Sequence, residues 1–419
     1  MTSPVWHPFT QHGLGETIPT VVRTEGAALH TADGARIVDA ISSWWVTTHG
    51  HRHPAIMAAI AEATQSLDQI IFAGWTHEPA EAVAAALVEM MPAPLAHVFF
   101  SDSGSTSVEV AIKMALGFWL NTDRPRHRIA VLESSYHGDT VGGMSLGERG
   151  VFNRAYAPLL FEVETLPFPE PGREQATLDA LDRLARGTDP LAALIVEPLL
   201  LGAGGMRIYT PEVLAEMRAI CTRHDVLLIA DEVMTGWGRT GSLLACDQAG
   251  VVPDILCLSK GLTGGAVPLA VTMATPAIFA AHRSDDRARM FFHSSSYTAN
   301  PIACAAARAN LAIWRDEPVL DRITDLSQRQ RTRHAPLADQ PMFRNVRQIG
   351  TVTALELADP HSDYLSALGP TLMRFFIDRG VLLRPLGNTI YVMPPYCIDD
   401  ADLDLVYGLI AEAGTRFGR

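Results

Sequence analysis

The 419-residue chain is poor in the features that mark several protein classes. Its five cysteines, Cys221, Cys246, Cys257, Cys304 and Cys397, are scattered and form no C-x-x-C pair. Neither a zinc knuckle nor a disulfide framework is therefore read from them, and buried thiols in a reducing compartment are expected. Long apolar runs are also missing: even AEAVAAALVEMM is cut by Glu81 and Glu89, which argues against a membrane-spanning helix. The first residues, MTSPVWHPFTQHG, lack a basic region followed by an apolar one, so no secretory signal is read and a cytoplasmic protein is expected. Positive charge is in deficit. A net charge of −13 and a pI near 5.6 argue against a nucleic-acid binder, although local basic pockets for small anions are compatible with them. No internal repeat, low-complexity tract or long linker is found.

What is present describes a folded, enzyme-like chain. Apolar residues make up 48% of it and the mean hydropathy is +0.12, and the length allows a large core with two domains. Gly26–His30 and Arg36–Asp39 read as strands around an Asp33-Gly34 turn, and Ala55–Leu67 and Ala80–Met91 as helices. From Val98 the pattern alternates: strand Val98–Phe100, helix Thr106–Leu120, strand Ile129–Leu132, strand Leu194–Val196, helix Pro211–His224, strand Val226–Ala230. Such alternation predicts an α/β fold, a mostly parallel sheet covered by helices. An alanine-rich helix over Asn300–Trp314 bridges to a remainder with strands Val352–Leu357 and Thr389–Val392. The expected division is an N-terminal segment 1–50 packed with the small domain, a large domain 51–307, and a small C-terminal α+β domain 308–419.

The chemistry concentrates in Leu227–Gly265. Val226–Ala230 and Ile255–Leu258 are continuously apolar, as parallel strands covered on both faces are, and they lead into Asp231 and Lys260. Both charges thus fall at carboxyl ends of strands, where open α/β sheets bind ligands. Taken alone, the two residues describe a buried salt bridge as well as a catalytic pair. Ser103-Gly104-Ser105 lies between the strand AHVFFSD and a helix, which suits either an anion site or simple N-capping. Tyr136, in SSYHGDT, either lies flat on a heteroaromatic ring or is structural. Glu197, at the end of another apolar strand, fits an ion pair or a direct role. A carboxylate for a pyridine nitrogen, an imine-forming lysine, a helix N-terminus for phosphate and an aromatic lid together are what pyridoxal 5'-phosphate requires.

At these residues the chain resembles the class III (ω-type) aminotransferases of pyridoxal-phosphate fold type I. The matching segments are SDSGSTSVEVAIKMA, SSYHGDT, IVEPLLLGAGGM, LLIADEVMTGWGRTG, DILCLSKGLTGG and SYTANPIACAAA, in order over about residues 99–307. The resemblance implies a large domain with a seven-stranded-type sheet and a smaller α+β domain. It implies catalytic roles for Lys260, Asp231 and Tyr136, with Lys260 bound to the cofactor aldehyde, Asp231 at the ring nitrogen and Tyr136 stacked on the ring. Ser103, Gly104 and Ser105 are implied at the phosphate. It further implies a homodimer in which the segment around Ser296 reaches the partner's phosphate.

WHPFTQ, SSWWVTTHGHRHP, THEPA and RPLGNTIYVMPPY narrow the resemblance to the branch that transaminates 8-amino-7-oxononanoate to 7,8-diaminononanoate in biotin biosynthesis. That branch implies substrate contacts from Trp44, Trp45, Arg239, Arg384, Tyr391 and Phe9. In it Trp44 and Trp45 line the pocket, and Arg384 and Tyr391 hold the distant carboxylate. Taken alone, Arg239 reads better as a solvated or structural arginine. Two departures stand out. Phe9 replaces a tyrosine of the family's WHPYT motif, and Ser296 replaces a phosphate-binding threonine but keeps a hydroxyl. S-adenosylmethionine is the expected amino donor. Lysine is the alternative donor, a diamine or β-alanine ω-aminotransferase the alternative enzyme, and a noncatalytic pyridoxal-binding protein the alternative of another class. His49, His51 and His53 in HGHRHP would share one face of a strand, but no cysteine or local carboxylate completes a set, so no metal is expected.

Overall fold

The computed structural model describes residues 3–15, 17–358 and 365–418. Near the N-terminus β1 (Val21–Glu25), β2 (Ala28–Thr31) and β3 (Arg36–Asp39) form an antiparallel meander. Its second turn is held by Thr31, whose hydroxyl donates to Asp33 at 2.5 Å. The central region supplies β4 (His97–Ser101), β5 (Arg128–Leu132), β6 (Glu164–Leu166) and β7 (Leu191–Val196). A short hairpin of β8 (Leu200–Leu201) and β9 (Arg207–Ile208) comes next, then β10 (Leu227–Asp231), β11 (Ile255–Leu258) and β12 (Ala270–Ala274). The C-terminal part adds β13 (Phe343–Ile349), β14 (Val352–Leu357), β15 (Val381–Leu382) and β16 (Thr389–Val392).

Seven strands form the main sheet in the order β4-β12-β11-β10-β7-β5-β6. From β6 to β11 every pairing is parallel, and β12 runs antiparallel to both β11 and β4. Every residue of β7, β10, β11 and β12 is buried, because helices cover both faces; the one polar side chain inside these strands, Thr272, donates to the Ser107 carbonyl at 2.8 Å. The helix Gly104–Asn121 packs across β7, β10, β11 and β12. Trp119, fully buried near its end, donates its indole N–H to the Ala192 carbonyl at 2.8 Å. No helix among the described residues is long and apolar enough to cross a membrane.

Sequence spacing predicts β4, β5, β7, β10 and β11 to within a few residues, but it does not predict β1, β6, β8, β9, β12, β13 or β15. The strand expected over Gly26–His30 forms as β2, one turn removed from β1. HGHRHP is not a strand. His51 makes an isolated bridge to Gly26, and His53 sits at the N-cap of the helix Pro54–Ala63.

A second core unites the two ends of the chain. β15 pairs in parallel with β3, extending the N-terminal meander, while β13, β14 and β16 form a separate antiparallel sheet. Arg36 on β3 makes a bidentate pair with Asp402, both bonds 2.7 Å long. The alanine-rich helix forms over Pro301–Asp316, with Asn300 as its N-cap accepting the Ala303 N–H at 3.0 Å and Pro301 in its first turn. Ala303, Cys304, Ala307 and Leu311 on this helix belong to the main core, whereas Ala306 and Ile313 belong to the second. Small side chains allow this close approach on two faces, and the helix also packs against Lys260–Thr263. The active cleft is thereby tied to both cores.

Candidate active site

The carboxyl edge of the main sheet collects the titratable groups. Asp231, the last residue of β10, is buried; its Oδ1 accepts the Val233 N–H at 3.2 Å and its Oδ2 lies 2.7 Å from Nδ1 of His137. His137 is buried too, and its Nε2 has no partner. No ion pair joins Asp231 to Lys260 among the described residues. The carboxylate is braced from behind by an imidazole and left facing a cavity that Lys260 also lines.

Lys260 follows β11 and opens a short 3-10 turn, with φ at +44°. A left-handed lysine is strained, and such strain persists only where surroundings hold it. Gly265 helps: at φ +87° it presses against the Val46–Thr47 backbone, and a Cβ there would lie 2.6 Å from the Val46 carbonyl carbon. The Lys260 ammonium lies 4.8 Å from the centre of the Trp45 ring. Loss of water lowers its pKa to about 8, with Asp231 and Glu197 pulling it back up and Arg239 pushing it further down.

At the opposite side of this cavity the helix Gly104–Asn121 begins. Ser103 and Thr106 cap each other reciprocally, so the capping role of Ser103 is real. The cap leaves the N–H groups of Gly104 and Ser105 without intrahelical partners, facing the cavity that Ser103, Gly104 and Ser105 line. Gly138, at φ +115°, passes so close that a Cβ would lie 2.0 Å from the Ser105 hydroxyl oxygen. That narrow cradle is lined as well by Tyr136, Val233 and Met234, and its volume is about 150 Å³.

Glu197, just after β7, makes no ion pair among the described residues. Its oxygens accept the N–H groups of Tyr136 at 3.0 Å and Gly202 at 2.9 Å, and burial lifts its pKa to about 7. Tyr136 is held over the cradle by this backbone bond, and burial raises its phenol well above the ordinary value.

A larger cavity of about 410 Å³ continues from the cradle and shares Trp45, Tyr136 and Lys260 with it. Pro8, Phe9, Trp44, Val46, Phe152 and Leu386 give it apolar walls, and Asp139, Arg384 and Tyr391 give it polar points. Trp45 is buried and donates its indole N–H to the Tyr391 hydroxyl at 2.9 Å. The Arg384 guanidinium lies 5.3 Å from the Trp44 ring centre and 6.0 Å from that of Phe9. No carboxylate among the described residues pairs with it, and its Nη1 donates to the Met373 sulfur at 3.9 Å.

Chains with this arrangement are already known. Residues 10–413 match the model of the class-III aminotransferase family. The adenosylmethionine-8-amino-7-oxononanoate aminotransferase of Synechococcus elongatus is 45% identical over 97% of this chain and 97% of its own. The enzyme of that name from Mycobacterium leprae is 38% identical over 99% of this chain and 95% of its own. Among solved structures, the Methanocaldococcus jannaschii enzyme of that name superposes with a TM-score of 0.93 at 31% identity, covering 98% of this chain and 97% of its own. An amine transaminase from an uncultivated Pseudomonas species, in its pyridoxal-phosphate-bound form, gives 0.94 at 31% identity over 100% of both chains.

This chain is a class III aminotransferase. It is a pyridoxal-phosphate-dependent enzyme, and its residues fit that cofactor: an orphaned imidazole nitrogen behind Asp231, free N–H groups at the helix start and a glycine-walled cradle between them. In this transaminase Lys260, Asp231, Tyr136, Ser103, Gly104 and Ser105 share one cavity, and Trp44, Trp45, Phe9, Arg384 and Tyr391 share the next. Ser296 lines neither. It lies on an exposed groove with Gln69, Ile70, Ile71, Phe72 and Ala73, and its carbonyl accepts from Gln69 at 2.9 Å.

Arg239 lines neither cavity. It is fully buried, donating to the carbonyls of Pro394 and Thr47, each at 2.8 Å. Its site is the seam where the segment after Trp45 meets the chain after β16. Sequence reasoning also missed His137, Asp139 and Phe152 as site residues. His137 and Asp139 stand next to Tyr136 in the singled-out SSYHGDT segment, so adjacency was their only signal.

Proposed function

We propose that this aminotransferase converts 8-amino-7-oxononanoate to 7,8-diaminononanoate in biotin biosynthesis, with S-adenosylmethionine as amino donor. The observation that carries the reading is one apolar cavity lined by both Lys260 and Arg384, an arginine with no carboxylate partner among the described residues. Such a cavity suits a substrate with a reacting carbonyl at one end, a run of methylenes, and a carboxylate at the other. The names borne by the relatives support the same substrate pair.

Pyridoxal phosphate, when bound, supplies an aldehyde that takes up the amino group and a ring that draws electrons from the donor carbon. The residues divide the remaining work. Asp231, held by His137 and the Val233 N–H, would keep the ring nitrogen protonated. The N–H groups of Gly104 and Ser105 would hold the phosphate and Tyr136 would lie against the ring, while Val233 lies in the wall of the cradle. Lys260 would be the amine that holds the cofactor's aldehyde and the base that moves the proton between donor and acceptor carbons. Its lowered pKa favours both tasks near neutral pH. Arg384 binds the distant carboxylate while Trp44, Trp45 and Phe152 exclude water from the methylenes.

We place the working enzyme in the cytoplasm as a homodimer. Exposed Ile71, Trp75, Phe292 and Tyr297 surround the groove that holds Ser296, and a second copy would cover them and receive Ser296 at its phosphate. Phe9 offers no hydroxyl to a donor, so lysine is the second donor to test. Incubating the loaded enzyme with 8-amino-7-oxononanoate and S-adenosylmethionine, lysine or β-alanine, and following 7,8-diaminononanoate by mass spectrometry, decides the reading. Product with S-adenosylmethionine is expected; turnover of β-alanine onto simple keto acids with no diaminononanoate would overturn it.

A further inference from the structure

The segment Ser42–Trp45, which brings both tryptophans to the cavity, is held in a conformation its own residues disfavour. Ser42, Ser43 and Trp45 have φ of +53°, +59° and +65°, and Ser43 combines this with ψ of −99°. None of the three is a glycine, so something outside the segment must impose the path. The agent is Asp39 at the end of β3, whose side chain is wholly buried. Its two oxygens accept the Ser43 N–H at 2.8 and 2.7 Å, its Oδ2 also takes the Ser43 hydroxyl at 3.1 Å, and its Oδ1 takes the Ile41 N–H at 3.3 Å. Nε2 of His51 closes the set at 2.8 Å from Oδ2.

The far side of the segment is pinned as well. Ser42 donates its hydroxyl to the Met393 carbonyl at 2.8 Å, and Trp45 donates to Tyr391. These bonds fix where the segment ends, whereas the Asp39 contacts fix how it turns. A buried carboxylate is costly unless its contacts repay the burial, and here nearly all of them go to one strained turn.

We propose that Asp39, braced by His51, is a positioning residue for substrate selection: it sets the turn that stands Trp44 and Trp45 as the apolar wall beside Lys260. Asp39 touches neither cavity itself, so it acts through the tryptophans. The inference rests on this cavity being the substrate's and not on which keto acid the enzyme takes. The probe is accordingly a series of unbranched primary alkylamines, from propylamine to octylamine, used as donors for the loaded enzyme and followed by the loss of the cofactor's visible absorbance.

Each methylene buried against the wall should raise kcat/KM by roughly fourfold in the unaltered enzyme. In Asp39→Ala the wall is loosened, and the gain per methylene should fall to nearly none while propylamine reacts within about twofold of the unaltered enzyme. Asp39→Asn, which keeps an acceptor for the Ser43 N–H at almost the same volume, should lie between the two. A uniform drop at every chain length would show a general structural role and overturn the proposal, as would an unchanged slope. Should Asp39→Ala not fold, Asp39→Asn carries the test alone with the same two outcomes. Failure of the substrate assignment would show separately, as absence of diaminononanoate with an intact chain-length slope.

Discussion

Replacing Arg384 by methionine removes the guanidinium that lines the proposed substrate cavity and keeps most of its aliphatic stem. Arg384 sits over Trp44 and Phe9, has no ion-pair partner among the described residues, and is only partly buried. A charge-assisted pair to a substrate carboxylate is worth about 1.5–3 kcal/mol, and partial exposure sets the middle of that range, about 2 kcal/mol or roughly thirtyfold in kcat/KM. Because no internal partner is orphaned, the change in folding stability should stay within about 0.5 kcal/mol. The assay compares 8-amino-7-oxononanoate with its methyl ester, which keeps the ketone and the methylenes and deletes the charge. In the unaltered enzyme the acid should be favoured by roughly thirtyfold, and in Arg384→Met the preference should vanish with the ester rate little changed. An acid preference that survives the substitution would refute the carboxylate role, and equal losses on acid and ester would assign Arg384 to the wall instead.

Asp231→Asn should still bind the cofactor, since the phosphate end of the cradle is untouched, but proton removal from the donor should slow by about a thousandfold in stopped-flow traces of cofactor absorbance. The rate at which cofactor-free enzyme captures pyridoxal phosphate should rise with pH and level off above about 8, because the neutral amine of Lys260 reacts and burial has lowered its pKa to that value. A rate still climbing toward pH 10 would contradict the lowered value. Glu197 titrates the other way. Its folded pKa of about 7 lies above the ordinary 4.5, so the stability it contributes is complete below pH 4.5 and is lost as pH rises through 7. The unfolding free energy of Glu197→Gln from urea titration should therefore gain on the unaltered protein by up to about 3 kcal/mol between pH 5 and pH 8.

The sheet and the two ends of the cofactor site were legible in sequence for one physical reason. A parallel strand covered on both faces reads as an unbroken apolar run, so the charges that terminate β10 and β11 stand out as Asp231 and Lys260. β12 was not legible although it is equally buried, because a short run such as Ala270–Ala274 has no periodicity to separate it from other buried segments. The brace on Asp231 was hidden by topology: His137 follows β5, and β7 stands between β5 and β10 in the sheet. The partners of Arg239 were not legible, because the carbonyls of Thr47 and Pro394 that it holds are distant from it in sequence. Asp39 looked like the end of an ordinary strand, and only the φ angles of Ser42, Ser43 and Trp45 reveal what it holds.

The central claim is that Lys260, standing across one ring from Asp231, is the lysine that carries the cofactor. The chain offers a sharp test, because Lys113 is its only other lysine. Lys113 lies on the outer part of the Gly104–Asn121 helix, with its ammonium on the Phe292 carbonyl and beside His293. Reduction of the pyridoxal-phosphate-loaded enzyme with borohydride, followed by digestion and mass spectrometry, should place the phosphopyridoxyl group on the peptide containing Lys260, one per chain, with none on Lys113. Label on Lys113, or a Lys260→Ala variant that still fixes the group with the unaltered visible absorbance, would contradict it.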